Sequence, residues 1–444
     1  MAPSSPSLSA TTAHIPTVLE PMDIEDLSPL DSQSLPRADG GKQAWLALAG
    51  CFTLEMLVWG FPYAFGVFQD FYLTHEPFSS SPTGIAAIAT TASGIMFLAS
   101  PLVAIAIQRF PEWRRRASFA GIAVMAIALI GASFVSSTAA LLGLQGVLYG
   151  VGGLTVYFPA MYICDEWFVK RKGIAFAVIW SGTGVAGAIV PFLSQWLLDS
   201  FGFRTTLRVW AVIIVVLATP SVLIMRPRLP IVPSGSSSLR PIDLSFLRRA
   251  PFWIFSLGNV MQSIAYFLPQ LWIPSFARQI GLPPLAGPLA LCLFSLAAVG
   301  GYLSQGALVD RYHVTTAIFV ATLGSVVSVF IFWGLTTSQP MLYVFVIIWG
   351  LTGGGYAANW SGVAMAIKQS GVHVETGLII SLMCVSKGIG SLVSGPISEQ
   401  LLLAGGVRGS KGAYGTEYGA IILFTGICLA FGGIACVGRL AKWV

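Results

Sequence analysis

The stretch Asp165–Gly173, DEWFVKRKG, holds five charged residues within eight positions, in a 444-residue chain of which only 9% is charged. Long apolar runs lie on both sides of it. Soluble globular proteins carry about a quarter charged residues, so this chain has too few charges to cover a water-facing surface. Apolar runs of about 20 residues are long enough to cross a bilayer as helices. The composition therefore predicts an all-α integral membrane protein in which this stretch is a water-exposed turn.

The apolar runs predict twelve transmembrane helices, since they do not alternate apolar and polar residues as barrel strands do. The predicted spans are 44–68, 83–107, 117–136, 139–163, 173–198, 205–225, 251–277, 288–309, 314–336, 341–367, 376–403 and 416–438. They form two six-helix groups, 41–225 and 251–444, joined by a cytoplasmic linker at 226–250. Residues 1–40 are rich in Ser and Pro and poor in aromatic residues, which predicts a disordered cytoplasmic tail.

The positions of Lys and Arg predict the orientation, because basic residues stay on the cytoplasmic side of a membrane. With residue 1 in the cytosol, the inner segments hold 18 of the 24 Lys and Arg residues and the outer loops hold five. DEWFVKRKG is then the cytoplasmic turn between spans four and five, and both termini are cytoplasmic. We expect a monomer in the plasma membrane, surrounded by lipid. The net charge of +6 has the same origin, and no basic folded surface indicates nucleic-acid binding.

An internal repeat relates the two groups of six spans. QRF (108–110) and DRY (310–312) end spans two and eight. GVLYG (146–150) and WGLTGG (349–354) lie in spans four and ten, and PFLSQWLL (191–198) and PISEQLLL (396–403) end spans five and eleven. The three matches occur in the same order, about 200 residues apart. The pattern resembles the architecture of major facilitator transporters, in which two such halves rock about a central site.

More specific motifs resemble the monocarboxylate porter family of that superfamily over about residues 38–440. DGGKQAW (39–45) is similar to its Asp-Gly-Gly motif, EWFVKRKGIAFAVIWSGTGVAG (166–187) to its aromatic-x-Lys-Arg-basic signature, and FGFRTTLRVWA (201–211) to its next block. GALVDRY (306–312) resembles the general facilitator loop motif, and FGVFQDFY (65–72) is similar to the fungal branch. The resemblance implies a secondary active transporter and not an enzyme.

The same resemblance implies a cytoplasmic gate in which salt bridges form and break as the transporter cycles. A solvated basic turn is the alternative, since exposed pairs alone contribute only about 0–1 kcal/mol. The candidate gate residues are Asp165, Glu166, Lys170, Arg171, Asp310 and Arg311.

Several patterns do not indicate a cofactor or a metal. GTGVAG (182–187) fits a dinucleotide fingerprint, but it lies inside an apolar helix and does not follow a strand. Its small residues are expected to let helices pack closely. The four histidines have no metal-ligand spacing, and no phosphate-binding G-x-x-x-x-G-K-[ST] loop is present. We therefore expect neither a cofactor nor a metal, and coupling to protons is left open.

Two charged residues inside spans are candidates for transport, because intramembrane charges are costly and usually functional. Glu55 lies in CFTLEMLVW of span one and Lys387 in MCVSKGIGS of span eleven, at a similar depth. Each could bind substrate, carry a proton or neutralise a partner, and a snorkelled or locally paired side chain is the alternative. In the resembled fold, spans one, seven and ten line the cavity. Their polar and aromatic residues complete the predicted site, with helix packing as the alternative for each: Tyr63, Asn259, Tyr266, Tyr356, Asn359 and Trp360.

The predicted site departs from that of proton-coupled lactate carriers. The resemblance implies that those carriers have a Lys after Phe-Pro in span one and an Asp and an Arg within span eight. Here FPY (61–63) places Tyr63 after Phe-Pro, and span eight has no charge before Asp310. An aromatic cavity with few polar anchors suits a largely apolar organic substrate. We expect efflux of a fungal secondary metabolite. Proton-coupled uptake of a monocarboxylate and a transport-inactive solute sensor are the alternatives.

Overall fold

The computed structural model describes residues 35–79, 84–85, 87–230, 244–369, 374–407 and 409–441. Within these ranges the chain is helical and contains no strand. Residues 1–34 of the predicted disordered tail and residues 231–243 of the predicted linker lie outside the described residues.

The helices are named here in chain order. The N-terminal half contains α1 (Lys42–Thr74), α2 (Ala87–Leu98), α3 (Ser100–Arg109), α4 (Arg114–Ala132), α5 (Thr138–Leu141), α6 (Tyr149–Trp167) and α7 (Lys172–Ile224). The C-terminal half contains α8 (Ala250–Gln279), α9 (Ala286–Arg311), α10 (Val314–Val327), α11 (Gln339–Trp349), α12 (Asn359–Gln369), α13 (Thr376–Ala404), α14 (Gly419–Gly432) and α15 (Ile434–Leu440). Short π-helical turns at Leu142–Leu148, Ser328–Trp333 and Gly350–Gly354 connect some of them.

By length and composition, nine helical stretches in the described part of the chain could cross a membrane. The number is ten if α2 and α3, bent by 42°, form one span. One of the nine is α7, whose 53 residues would extend about 80 Å at 1.5 Å per residue. That is roughly twice the thickness of a bilayer. It contains both predicted spans five and six, and it breaks at Gly202, where φ is 72°.

α8 matches predicted span seven and has 30 residues, but it is less apolar and is not among the nine stretches. Asn259, Gln262 and Gln270 within it explain the lower hydropathy. Each predicted span therefore overlaps a helix, and the all-α membrane fold is confirmed. The count of twelve spans stays a prediction.

The repeated GxxxG spacing produces the same packing in both halves. A Cβ added to Gly150 would lie 3.0 Å from the carbonyl oxygen of Ala92 in α2. A Cβ added to Gly350 would lie 2.6 Å from the carbonyl oxygen of Phe294 in α9. The glycines thus let span four approach span two, and span ten approach span eight.

The two halves meet where α3 contacts α13 and where α7 contacts α9. The Ser100 hydroxyl donates a hydrogen bond of 2.8 Å to the carbonyl oxygen of Ser381. A Cβ on Gly306 of α9 would lie 2.6 Å from the carbonyl oxygen of Gly173 in α7, so this crossing requires glycine. We call the face of the molecule that carries the turn between α6 and α7 the turn face.

Candidate functional site

A small cavity lies between the two halves and is lined by both intramembrane charges, Glu55 and Lys387. Its volume of about 20 Å³ is enough for roughly one water molecule. Its other lining residues are Trp59, Tyr63, Phe97, Tyr157, Trp180, Thr183, Tyr302, Ala357, Trp360 and Cys384. The walls are mainly aromatic and come from both halves, so a relative movement of the halves would widen the cavity.

Glu55 is buried in α1 and only half of its carboxylate is hydrogen-bonded. The hydroxyl of Thr183 donates a hydrogen bond of 2.8 Å to Oε1, whereas Oε2 is buried and has no hydrogen-bond partner. Thr183 can approach because its neighbour Gly182 lets α7 pack closely on α1: a Cβ there would lie 2.8 Å from the carbonyl oxygen of Phe52. The glycines that mimic a dinucleotide motif thus serve helix packing, and the free oxygen can accept a proton or a substrate hydrogen bond.

Lys387 of α13 lies among aromatic rings. Its Nζ atom is 4.8 Å from the ring centroid of Tyr266, 5.7 Å from that of Trp360 and 5.8 Å from that of Phe97. Aromatic faces attract a cation, and the attraction is stronger where water is excluded. Among the described residues no carboxylate lies within 4.0 Å of this nitrogen. Glu55 and Lys387 therefore share a cavity without forming an ion pair, and the Lys387 charge is available to an anionic group.

Two of the predicted site residues, Tyr63 and Trp360, line the cavity. The Tyr63 ring lies 6.0 Å from that of Trp59. The Trp360 ring packs edge-on against that of Trp180 at 5.6 Å. The Trp360 indole donates a hydrogen bond of 3.0 Å to the Asn259 side-chain oxygen, which fixes the orientation of its ring.

Four predicted residues do not line the cavity in this structure: Asn259, Tyr266, Tyr356 and Asn359. The Tyr266 ring contacts Lys387, which does line it. The Asn259 amide donates to the carbonyl oxygen of Met383 at 2.8 Å, so this residue joins α8, α12 and α13 behind the wall. The Asn359 amide donates to the side-chain oxygen of Gln305 at 2.9 Å, and Tyr356 donates to a backbone carbonyl at 3.4 Å. These three residues organise the wall instead of facing the cavity.

Eight further lining residues were absent from the prediction: Trp59, Phe97, Tyr157, Trp180, Thr183, Tyr302, Ala357 and Cys384. Aromatic residues recur in many spans, so residue type alone does not identify those that face a cavity. Helical spacing carries a usable signal, because residues four apart lie on the same face of a helix. Trp59 lies four residues after Glu55 and four before Tyr63, so this spacing could have identified it.

At the turn face, two of the three predicted acidic gate residues, Asp165 and Glu166, form ion pairs inside the N-terminal half. Asp165 pairs with Lys172. Glu166 accepts a hydrogen bond from the Arg114 guanidinium at 2.5 Å. Neither pair joins the two halves, because all four residues belong to α4, α6 and the beginning of α7. In this conformation both pairs stabilise the turn and do not lock the halves together.

Asp39, in the predicted Asp-Gly-Gly motif, binds the backbone of the same turn. Its carboxylate accepts hydrogen bonds from the backbone N–H groups of Val169, Lys170 and Arg171 at 2.8–3.0 Å. Partial burial raises the pKa of the Asp39 carboxyl, but these donors outweigh burial and the net shift is below the ordinary value. Lys170 and Arg171 thus contribute backbone N–H groups here, while their side chains are exposed.

Asp310 makes the contact that joins the halves at the turn face. It lies at the end of α9 and accepts hydrogen bonds from the backbone N–H groups of Gly173, at 2.6 Å, and Ile174, at 2.8 Å. These groups belong to the first turn of α7, where the helix dipole favours a negative charge. The Lys172 ammonium also reaches across the halves, donating to the Thr376 hydroxyl at 3.4 Å. Arg311 is exposed beside this contact, and the halves are packed together at the turn face.

Comparisons with known proteins give a consistent picture. Residues 47–395 match the family described as the Major Facilitator Superfamily. The chain is similar to an MFS transporter of Aspergillus flavus, with 26% identity over 92% of this chain and 89% of the relative. It is 23% identical to the aspyridones efflux protein of Emericella nidulans over 92% of this chain and 80% of the relative. It is 27% identical to human monocarboxylate transporter 11 over 82% of this chain and 78% of the relative.

Proposed function

The chain belongs to the Major Facilitator Superfamily, and from this premise we propose that it exports a fungal secondary metabolite across the plasma membrane by alternating access. It is a multi-pass membrane transporter of the monocarboxylate porter-like, fungal group and not an enzyme. Similarity to an aspyridones efflux protein supports the direction and the class of cargo. The turn face is cytoplasmic in this proposal, as the distribution of basic residues predicts.

The observation that carries the proposal is the aromatic cavity that holds one unpaired cation and one half-bonded carboxylate. Its aromatic walls suit an apolar organic body, and a few fixed polar groups provide specificity. Lys387 would bind an anionic or strongly polar group of the cargo. Thr183 and Glu55 would accept or donate hydrogen bonds on the opposite side.

The conformation supports a transport cycle in which the turn face opens to admit cargo. The cavity holds about 20 Å³, so an organic cargo requires the halves to separate. Release of Asp310 from the first turn of α7 would open the turn face. Closing it again would commit the cargo to the other side of the membrane.

A second candidate function is proton-coupled uptake of a monocarboxylate. The Oε2 atom of Glu55 has no hydrogen-bond partner. This favours proton-coupled uptake, because a buried carboxylate with a free oxygen can take up a proton as the cargo binds. The similarity to human monocarboxylate transporter 11 supports the same reading. In both functions, Glu55 is the residue through which we propose coupling to protons.

A flux assay with purified protein in proteoliposomes tests both functions. A trapped pH dye would report proton movement while a panel of cargoes, from short monocarboxylates to bulky apolar acids and neutral compounds, is supplied. Flux of a bulky compound without a response to lactate or pyruvate is the expected result. Proton flux with lactate or pyruvate would replace export by acid uptake, and binding without flux of any cargo would indicate a sensor.

A further inference from the structure

A second cavity, of about 380 Å³, lies at the turn face and shares no residue with the central cavity. Its apolar wall includes Leu48 of α1, Phe168 of the turn and Val178 of α7. Trp45 is 53% exposed and packs edge-on against Phe168 at 6.0 Å. We call this cavity the turn-face cleft. An exposed Trp beside apolar walls is typical of the boundary between lipid tails and head groups.

Two cations line the cleft from opposite halves of the molecule. Arg171 comes from the turn and Arg311 from the end of α9, and both are exposed. In the described part of the chain no carboxylate lies within 4.0 Å of either guanidinium. Asp310 also lines the cleft, but its two oxygens accept hydrogen bonds from the backbone N–H groups of Gly173 and Ile174 in α7. The cleft therefore combines an apolar wall with two exposed cations that form no ion pair within 4.0 Å, although Asp39 and Asp310 lie close enough to interact electrostatically with Arg171.

We propose that the turn-face cleft binds an anionic phospholipid. The phosphate and head group would contact Arg171 and Arg311, and an acyl chain would pack along Leu48, Phe168 and Val178. Basic pockets between transmembrane helices bind anionic head groups in this way. The apolar wall selects a lipid over a free anion, because a phosphate without a chain would leave that wall exposed to water.

The position of the cleft gives the bound lipid an effect on conformation. One wall belongs to α1 and α7 and the other to α9, so the cleft exists only while the halves are packed at the turn face. A ligand that binds one conformation shifts the population towards it. An anionic lipid would therefore favour the state in which Asp310 contacts α7. This inference depends on neither the cargo nor the direction of transport.

Native mass spectrometry of the full-length purified protein tests binding, with phosphatidylglycerol and phosphatidylcholine as probes. We expect the wild type to retain phosphatidylglycerol about tenfold more strongly, and R171Q/R311Q to lose this preference. R115Q/R116Q removes the same charge from exposed residues outside the cleft and should retain it. R171K/R311K keeps both charges and should also retain it, which separates loss of charge from loss of fold.

Equal retention of the two lipids by the wild type would overturn the proposal, as would an unchanged preference in R171Q/R311Q. Displacement of phosphatidylglycerol by glycerol 3-phosphate at equal concentration would show a free-anion site and would also overturn it. If the double variant is not monodisperse, the single variant R311Q provides the same comparison.

Hydrogen exchange in nanodiscs tests the effect on conformation. Asp310 holds the amides of Gly173 and Ile174, so their exchange reports closure of the turn face. We expect about threefold slower exchange in phosphatidylglycerol than in phosphatidylcholine, and no such difference for R171Q/R311Q. Equal exchange in the two lipids would contradict the coupling of lipid to closure.

Discussion

Lys387 and Glu55 line one cavity without pairing with each other. Three aromatic rings surround the Lys387 ammonium, and one hydroxyl supports the Glu55 carboxylate. Breaking a buried ion pair by removing one partner is strongly destabilising. Neither Glu55 nor Lys387 forms an ion pair with any described residue. Each residue can therefore be replaced to test transport with limited cost to the fold.

Replacing Lys387 with Ala should reduce flux of an anionic cargo by at least tenfold, because the cavity would lose its only described lining cation. The yield of folded protein at the membrane should stay close to that of the wild type. Flux in proteoliposomes and size-exclusion profiles measure the two effects. Lys387→Arg is the control: it keeps the charge and should keep part of the flux. Normal flux by Lys387→Ala would exclude Lys387 from the site.

The two buried asparagines should differ in effect, although they were predicted as equivalent site residues. Asn259→Ala removes the acceptor of the Trp360 indole, so we expect a raised KM and a loss of about 1–3 kcal/mol of stability from the unsatisfied donor. Asn359→Ala removes a bond to Gln305 behind the wall, so it should lower stability with little change in KM. Cargo titrations and thermal unfolding distinguish them. Equal KM changes would contradict the positioning of Trp360 by Asn259.

Among the individual residues of the site, the sequence predicts the charged ones better than the aromatic ones. Glu55 and Lys387 are conspicuous because charges inside apolar spans are rare. Trp180, Tyr157 and Tyr302 resemble many other aromatic residues, and only the rotation and packing of their helices bring them to the cavity. Asn359 was conspicuous as a polar residue in a span, yet its side-chain nitrogen donates to Gln305 inside the helix bundle and its side-chain oxygen is buried without a partner.

Closure of the turn face depends on how α7 and α9 cross. Gly173 and Gly306 let the two helices approach until Asp310 reaches the first turn of α7. Hydropathy predicts both helices. It also separates spans five and six at residues 199–204, where Gly202 with its positive φ divides α7 into two helical segments.

Gly306→Ala should open the turn face, because its Cβ would lie 2.6 Å from the Gly173 carbonyl oxygen, which is too close for a carbon atom. We expect about tenfold faster hydrogen exchange in the first turn of α7. Gly395→Ala is the matched control, since a Cβ at that position meets nothing within 4 Å. Unchanged exchange in Gly306→Ala, or an equal change in the control, would show that the crossing does not govern closure.

Asp39 should make the turn between α6 and α7 sensitive to acid. Burial raises its pKa and the turn amides lower it, with a net shift below the ordinary value of 3.8. Its stabilising contribution is therefore fully present above about pH 3.8 and is lost as the pH falls through the lower folded pKa. At pH 7, Asp39→Ala should lose roughly 1 kcal/mol of stability.

Thermal unfolding of the wild type and Asp39→Ala across pH 7 to pH 2.5 measures this effect. The difference in Tm between the two proteins should be largest at neutral pH and should shrink below about pH 3.8. A difference that is constant across this range would show that the Asp39 charge does not hold the turn.

For the whole molecule, the repeat predicts two similar halves; spans two and four pack closely at Gly150, and spans eight and ten at Gly350. The sequence does not indicate which face is closed, because both conformations of an alternating-access transporter share one sequence. The structure shows the halves packed at the turn face around a cavity with room for about one water molecule. In the cycle proposed above, the contact between Asp310 and α7 would break and form again.

Asp310→Asn should slow this cycle without changing the choice of cargo. Asn has one acceptor oxygen, so it can satisfy only one of the Gly173 and Ile174 amides, and it places no negative charge at the beginning of α7. The closed state would be less populated, and we expect about tenfold slower flux with the same rank order of cargoes. Asp199→Asn is the control, because Asp199 is exposed and bonds only locally to Gln195. A changed rank order would place Asp310 in substrate recognition, whereas unchanged flux would show that its contact with α7 does not limit the cycle.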